Sequence, residues 1–180
     1  MTAVADAPPP VGAEAEPSGA TASPSALEAF RWWGPTWFAL GALIGSGRLG
    51  DNSFLTHLAT GRLILDGEVP HTDPYSFTAH GADWVVQSWG ASVLFAGAEA
   101  LAGPGAIRLL VALAAGLLAA GVWRLAGAVP AAVPRMALTG AVVCAGIGWW
   151  NERPQTLAAL ALVGSLLVVV ERRHVAWLVP

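Results

Sequence analysis

The sequence predicts an all-α membrane protein, with about four transmembrane helices and two juxtamembrane helices in a first outer loop. Three observations predict it. Hydrophobic residues make up 55% of the chain and charged residues only 12%. A soluble domain carries about 25% charged residues, so this chain is too poor in charge to solvate the surface of a globular fold. Long apolar runs recur, and each ends at arginines, prolines or tryptophans of the kind that mark membrane boundaries. Those runs are separated by one polar stretch, 48–84, that contains Asp51, Asp66, Glu68, Asp73 and Asp83 with His57, His71 and His80.

The N-terminal segment 1–28 reads as a disordered, acidic, Ala/Pro-rich tail. It holds Asp6, Glu14, Glu16 and Glu28 without a base, and includes Pro8, Pro9 and Pro10. Such a segment has too little apolar surface to offset the entropy of ordering. It lacks the basic start of a secretory signal, since no base precedes Arg31. The net charge of −3 belongs to this tail: residues 29–180 hold nine Arg against eight acids. No basic stripe exists, which leaves nucleic-acid binding without support. The one cysteine, Cys144, excludes an intrachain disulfide and reads as a small buried hydrophobe. Arginine is the only strong base in the chain, and alanine and glycine abound, as in GC-rich bacterial genomes.

Phe30–Gly47 is the first expected crossing, with Trp32, Trp33 and Trp37 near its start. An amphipathic helix is expected over Ser53–Leu65, lying along the membrane surface. Its wheel puts Phe54, Leu55, Leu58, Ala59 and Leu65 on one side and Thr56, His57 and Thr60 on the other. Asp51, Asn52 and Ser53 are cap candidates, and Asp66-Gly67 should stop the helix. Val69-Pro70 and Asp73-Pro74 demand extended or turn geometry, with Asp73 as turn initiator. Gln87–Leu101 reads as a juxtamembrane helix broken by Gly103-Pro104-Gly105. Ile107–Leu125, Arg135–Trp150 and Thr156–Val170 read as three further spans, with a tight turn at 151–154. The positive-inside rule puts the N-terminus in the cytoplasm. Arg31, Arg124, Arg135, Arg172 and Arg173 then lie inside, and Arg48, Arg62, Arg108 and Arg153 outside. On that topology the acidic loop and the turn 151–154 share the outer face. Gly41 and Gly45 have the spacing of a small-residue packing face.

The loop carries the most specific pattern. Asp51 is followed by His57-Leu58, Gly61 and Ile64. Next come Val69-Pro70-His71-Thr72-Asp73-Pro74-Tyr75-Ser76-Phe77-Thr78, and then Trp84, Gln87 and Trp89. This pattern resembles the first outer loop of the GT-C superfamily of integral-membrane glycosyltransferases, near the bacterial protein mannosyltransferases and aminoarabinose transferases. The resemblance covers about residues 30–180. It implies that 29–180 is the N-terminal part of a GT-C-like transmembrane domain, with outer loop 48–105, in a bacterial inner membrane. It implies transfer of a sugar from a polyprenyl-phosphate donor to an extracytoplasmic acceptor. A non-catalytic membrane scaffold or transporter component is the alternative.

By the same resemblance Asp51 is the essential acid, acting on the acceptor as general base; a carboxylate suits that task because it accepts a hydroxyl proton. Many relatives carry a second acid where this chain has Ser53, so Asp51 alone is a poor cation site. A divalent cation is admitted by the family chemistry without being required. Glu152, in the second outer turn, is a second carboxylate candidate, or else the ion-pair partner of Arg153. His57, two turns beyond Asp51, is a candidate to orient phosphate or acceptor. Arg153 matches lipid phosphate by its guanidinium geometry, and Gln87 is placed at an acceptor groove. Each has a plainer alternative: a helix cap for Asp51, surface exposure for His57, snorkelling for Arg153 and packing for Gln87.

Overall fold

The computed structural model describes residues 24–171, with side chains described from Trp32 onward. The described residues form α1 (Pro24–Gly45), α2 (Phe54–Leu65), α3 (Trp89–Leu125), a 3-10 turn at Ala126–Ala128, α4 (Ala132–Gly146) and α5 (Pro154–Val170). Among them no strand forms; the one β pairing is an isolated bridge between Thr72 and Asp83. The expected tail 1–28 falls mostly outside the described residues. Where it enters them the boundary moves, because α1 already begins at Pro24, a residue suited to the first turn of a helix. The packed unit that carries the site starts at Trp32.

α3 is the spine, packing against α2, α4 and α5. The segments read as a juxtamembrane helix and a span are two helices that meet at a kink inside α3. Ala102 (φ −152°, ψ 27°) and Gly103 (φ 68°, ψ −161°) leave helical geometry, and Pro104 restarts it. A positive φ is open to glycine without a Cβ clash, and proline withholds its N–H from the turn before it. With the 3-10 turn, α3 is the one helix among the described residues long and apolar enough to cross a membrane.

Small residues bring α1 onto α3. A Cβ added at Gly41 would meet Ala119 Cβ at 2.7 Å, and one at Gly45 would meet Ala115 Cβ at 2.7 Å. Gly116 in turn receives the Phe38 ring. The spacing at 41 and 45 is therefore a true close crossing.

α2 does not present the face expected of it. Phe54, Leu58, Thr60 and Gly61 are buried, whereas Leu55 and Leu65 stand 68% and 52% exposed. The reason is tertiary: the helix lies on α3, which covers one side of it. Gly61 sits against the Ser92 carbonyl, and Phe54 packs edge-on to Phe95 at 5.6 Å. Phe54 and Phe95, with Leu58, Ala96, Ile107 and Val111, make the core at this end. Thr60 is buried at no cost in hydrogen bonds, because its hydroxyl reaches Thr56 O at 2.7 Å and Tyr75 Oη at 3.1 Å.

α2 stops at Gly67 (φ 88°), as its sequence demands. Asp73 initiates the next turn, accepting from the backbone N–H of Tyr75 (2.8 Å) and Ser76 (3.0 Å). Trp84 N donates to His71 O at 2.8 Å and closes the loop, with its ring edge-on to Tyr75 at 5.5 Å.

α4 ends four residues earlier than the sequence suggests, at Gly146. Trp149 N and Trp150 N both turn back to Gly146 O at 2.8 Å, and the Trp150 ring occupies the space a Cβ at Gly146 would need. Cys144, expected to be buried, is exposed on the outer face of this helix. α5 opens with Pro154 at its first turn, with the 151–154 turn before it as expected.

Candidate functional site

The site is built where the chain leaves α1 and enters α2, facing the turn that opens α5. Thr156, 3% exposed, staples that turn with one hydroxyl proton shared between Trp149 O (3.2 Å) and Asn151 O (3.0 Å). The turn thereby holds Glu152 and Arg153 against residues about a hundred positions earlier.

Glu152 is 3% exposed. Its Oε1 accepts the backbone N–H of Gly50 and, at 2.7 Å, that of Asp51. A buried carboxylate with two backbone donors is satisfied without a cation. Its partner is thus the loop 50–51, and the ion pair expected with Arg153 is not made. Arg153 instead pairs through Nε with Asp51 Oδ2, in an ion pair whose Asp51 side chain is 5% exposed and whose Arg153 side chain is 39% exposed. The other carboxylate oxygen of Asp51 accepts from the hydroxyl and, at 2.8 Å, the backbone N–H of Ser53. The Ser53 hydroxyl above all holds the Asp51 carboxyl below its ordinary 3.8; burial, next in size, opposes it, and the Ser53 N–H and Arg153 add to the lowering. The cap expectation is met in altered form. Asp51 fixes the turn before α2, while Ser53, the residue at the cap position, makes no side-chain cap bond.

Above this pair opens a cleft of about 930 Å³. His57 and Thr60 of α2, the segment Trp84–Ser92, and Arg153 with Gln155 at the start of α5 are among its walls. Of the residues singled out by sequence, His57, Gln87 and Arg153 line the cleft. Asp51 and Glu152 lie behind it, joined to it through Arg153. Sequence reasoning passed over Ser92 and Gln155. Ser92 is fully buried and its hydroxyl stands 3.2 Å from His57 Nδ1. A Ser in an apolar helix is a common signal for backbone bonding, and nothing in its local sequence distinguishes it.

Among the described residues no cluster of three or more His, Cys, Asp or Glu side chains is arranged to hold a metal. With Asp51 taken by Arg153 and Glu152 by backbone donors, the carboxylates present do not fit a divalent cation, which needs several free oxygens. No step is therefore routed through one.

No family model matches this chain, and no curated protein or solved structure matches it. The site must be interpreted from its own geometry.

Proposed function

We propose that this chain is the N-terminal part of a multi-pass GT-C-type membrane glycosyltransferase. It moves a sugar from a polyprenyl-phosphate donor to an extracytoplasmic acceptor. One observation carries the reading. Asp51, His57, Glu152 and Arg153, drawn from two stretches 101 to 102 residues apart at their contacts, gather beside one cleft at one end of the helices. A donor phosphate in the cleft finds in Arg153 a guanidinium that is already at the wall and planar enough for bidentate contact. Asp51, kept ionised by Ser53 first and by that same arginine after it, is the acid that the family resemblance makes essential.

The membrane assignment extends α3 to four crossings, by α1, α3, α4 and α5. Outward-facing Leu109, Leu113 and Leu117 recur every four residues on α3, and Leu162, Leu166 and Val169 are exposed on α5. Water-facing surfaces rarely carry such stripes, and lipid accepts them. Arg124, bonded to Glu171, marks one end of the bundle, and Arg153 marks the other. With the arginine-richer end inside, the N-terminus is cytoplasmic and the cleft opens outward.

The rival reading, a non-catalytic scaffold or transporter component, is favoured by the near-burial of the Asp51 carboxylate and its full set of donors. Transfer assays separate the two. Protein in lipid nanodiscs is given polyprenyl-phosphate hexose and pentose labelled in the sugar. Label moving to acceptor or water, and slowed in Asp51→Asn, supports the enzyme. No movement from any of these donors supports the scaffold.

A further inference from the structure

We propose that His57, through Nε2, is the proton acceptor of the cleft, and that Ser92 positions it by fixing the tautomer that leaves Nε2 bare. The proposal rests on the glycosyltransferase reading for its substrate and on hydrogen-bond geometry for the residue.

Two contacts of the Ser92 hydroxyl carry the assignment. A serine hydroxyl has one proton. Ser92 Oγ gives its proton to Ser88 O, at 3.2 Å, one turn back on α3. With its proton committed there, Ser92 Oγ meets His57 Nδ1, also at 3.2 Å, as an acceptor, and the tautomer we assign carries its hydrogen on Nδ1. In a neutral imidazole the other nitrogen is then a bare acceptor. Nε2 has no hydrogen-bond partner among the described residues, and the ring lines the cleft. Ser92 is itself fully buried and cannot turn to water for another arrangement.

The surroundings favour the neutral ring. Burial pushes His57 below its ordinary 6.5, and the negative charge of Asp51 opposes this in part. The charge that acts on the ring is that of Asp51, from the loop before α2; Arg153, from the start of α5, lines the same cleft. The α3 residues at this contact, Ser88 and Ser92, carry no charge. Asp51 is the poorer base: its carboxyl is held below 3.8, nearly buried, and its two oxygens are committed to Ser53 and Arg153. Its charge serves instead to stabilise the imidazolium that forms when Nε2 takes a proton.

The step balances as follows. The acceptor's O–H bond breaks and its proton passes to Nε2. The acceptor oxygen forms a bond to the anomeric carbon of the donor sugar. The bond from that carbon to the phosphate oxygen breaks, and its electron pair leaves with the phosphate, whose charge Arg153 offsets. The proton on Nε2 returns to water when the product departs.

The test has two arms on the protein in nanodiscs. In the first, nitrogen NMR of 15N-histidine protein at pH 7 reads the tautomer, with the His57 signal assigned by its loss in His57→Gln. The expected signal is neutral, with Nδ1 protonated and Nε2 bare, and Ser92→Ala removes that preference. A protonated Nε2 overturns the proposal. In the second, labelled polyprenyl-phosphate sugar is the donor. His57→Gln lowers kcat about 100- to 10,000-fold with KM nearly unchanged. The acid limb of the kcat profile lies below 6.5, and Asp51→Asn moves it lower still because the opposing charge is gone. Unchanged kcat in His57→Gln, while the parent protein transfers label, overturns the proposal. If the parent transfers none, the glycosyltransferase reading falls alone. The tautomer then decides His57: a bare Nε2 supports a proton acceptor in the cleft, and a protonated one removes it.

Discussion

Gly61→Ala tests whether the contact of α2 with α3 sets the site. A Cβ at Gly61 would lie inside the contact radius of the Ser92 carbonyl oxygen and 2.8 Å from Ala96 Cβ. Carbon atoms rest about 3.5 to 4.0 Å apart, so α2 must withdraw from α3 by roughly 1 Å. The Ser92 carbonyl is helical backbone and cannot step aside. His57 stands one turn before Gly61 on α2, and its 3.2 Å contact with Ser92 stretches past 4 Å, outside hydrogen-bond range. Overpacking of this kind costs about 1 to 3 kcal/mol, about a 5- to 150-fold loss in the folded-to-unfolded ratio. Gly97→Ala is the control, since a Cβ at Gly97 of α3 meets nothing within 4 Å. There the better helix propensity of alanine adds stability, up to about 1 kcal/mol. Thermal unfolding in nanodiscs measures the stability, and the His57 nitrogen signals measure the contact. If Gly61→Ala melts with Gly97→Ala and keeps the His57 signals of the parent, the argument from close packing is refuted.

Other outcomes follow from the same geometry. Asp51 has a folded pKa depressed below 3.8, so its contribution is complete above that value and is lost as pH falls through the folded one. Melting temperatures of Asp51→Asn should therefore fall less steeply than those of the parent below about pH 4, and parallel slopes would contradict the ion pair. His57 acts in the same linkage sense at higher pH: its folded pKa is lowered, the unfolded chain binds the proton first, and stability declines as pH falls below 6.5. In His57→Gln that decline should shrink, as pH-dependent thermal scans will show. Arg153→Ala leaves the nearly buried Asp51 carboxylate without its cation, and should raise the acid-unfolding midpoint; an unchanged midpoint would mean that Ser53 alone suffices. For topology, a cysteine at His80, in a chain with Cys144 replaced by Ala, should be labelled from outside intact spheroplasts. Labelling only after permeabilisation would reverse the proposed orientation.

The sequence by itself determined the helical class and most helix ends. Gly67, Gly103 with Pro104, and Pro154 act through local backbone physics, namely a permitted positive φ, a missing N–H and a preset φ, so their effects are readable one residue at a time. The Asp73 turn is legible for the same reason, since its partners lie two and three residues away. Tertiary structure decided the rest. The hydrophobic wheel of α2 put Leu55 inward and Thr60 outward, and the structure reverses both, because a helix lying on α3 buries whichever side fits the Ser92 backbone at Gly61. Cys144 looked buried because apolar neighbours do not reveal which side of a helix lacks a partner. The sequence nominated Asp51, His57, Glu152 and Arg153, with Glu152 either a second site carboxylate or the partner of its neighbour Arg153. Only the fold hands Arg153 to Asp51 and Glu152 to the backbone of Gly50 and Asp51, across about a hundred residues. Ser92 was invisible for the same physical reason: a hydrogen bond between two helices depends on their distance and rotation, and neither is encoded in the residues on one helix alone.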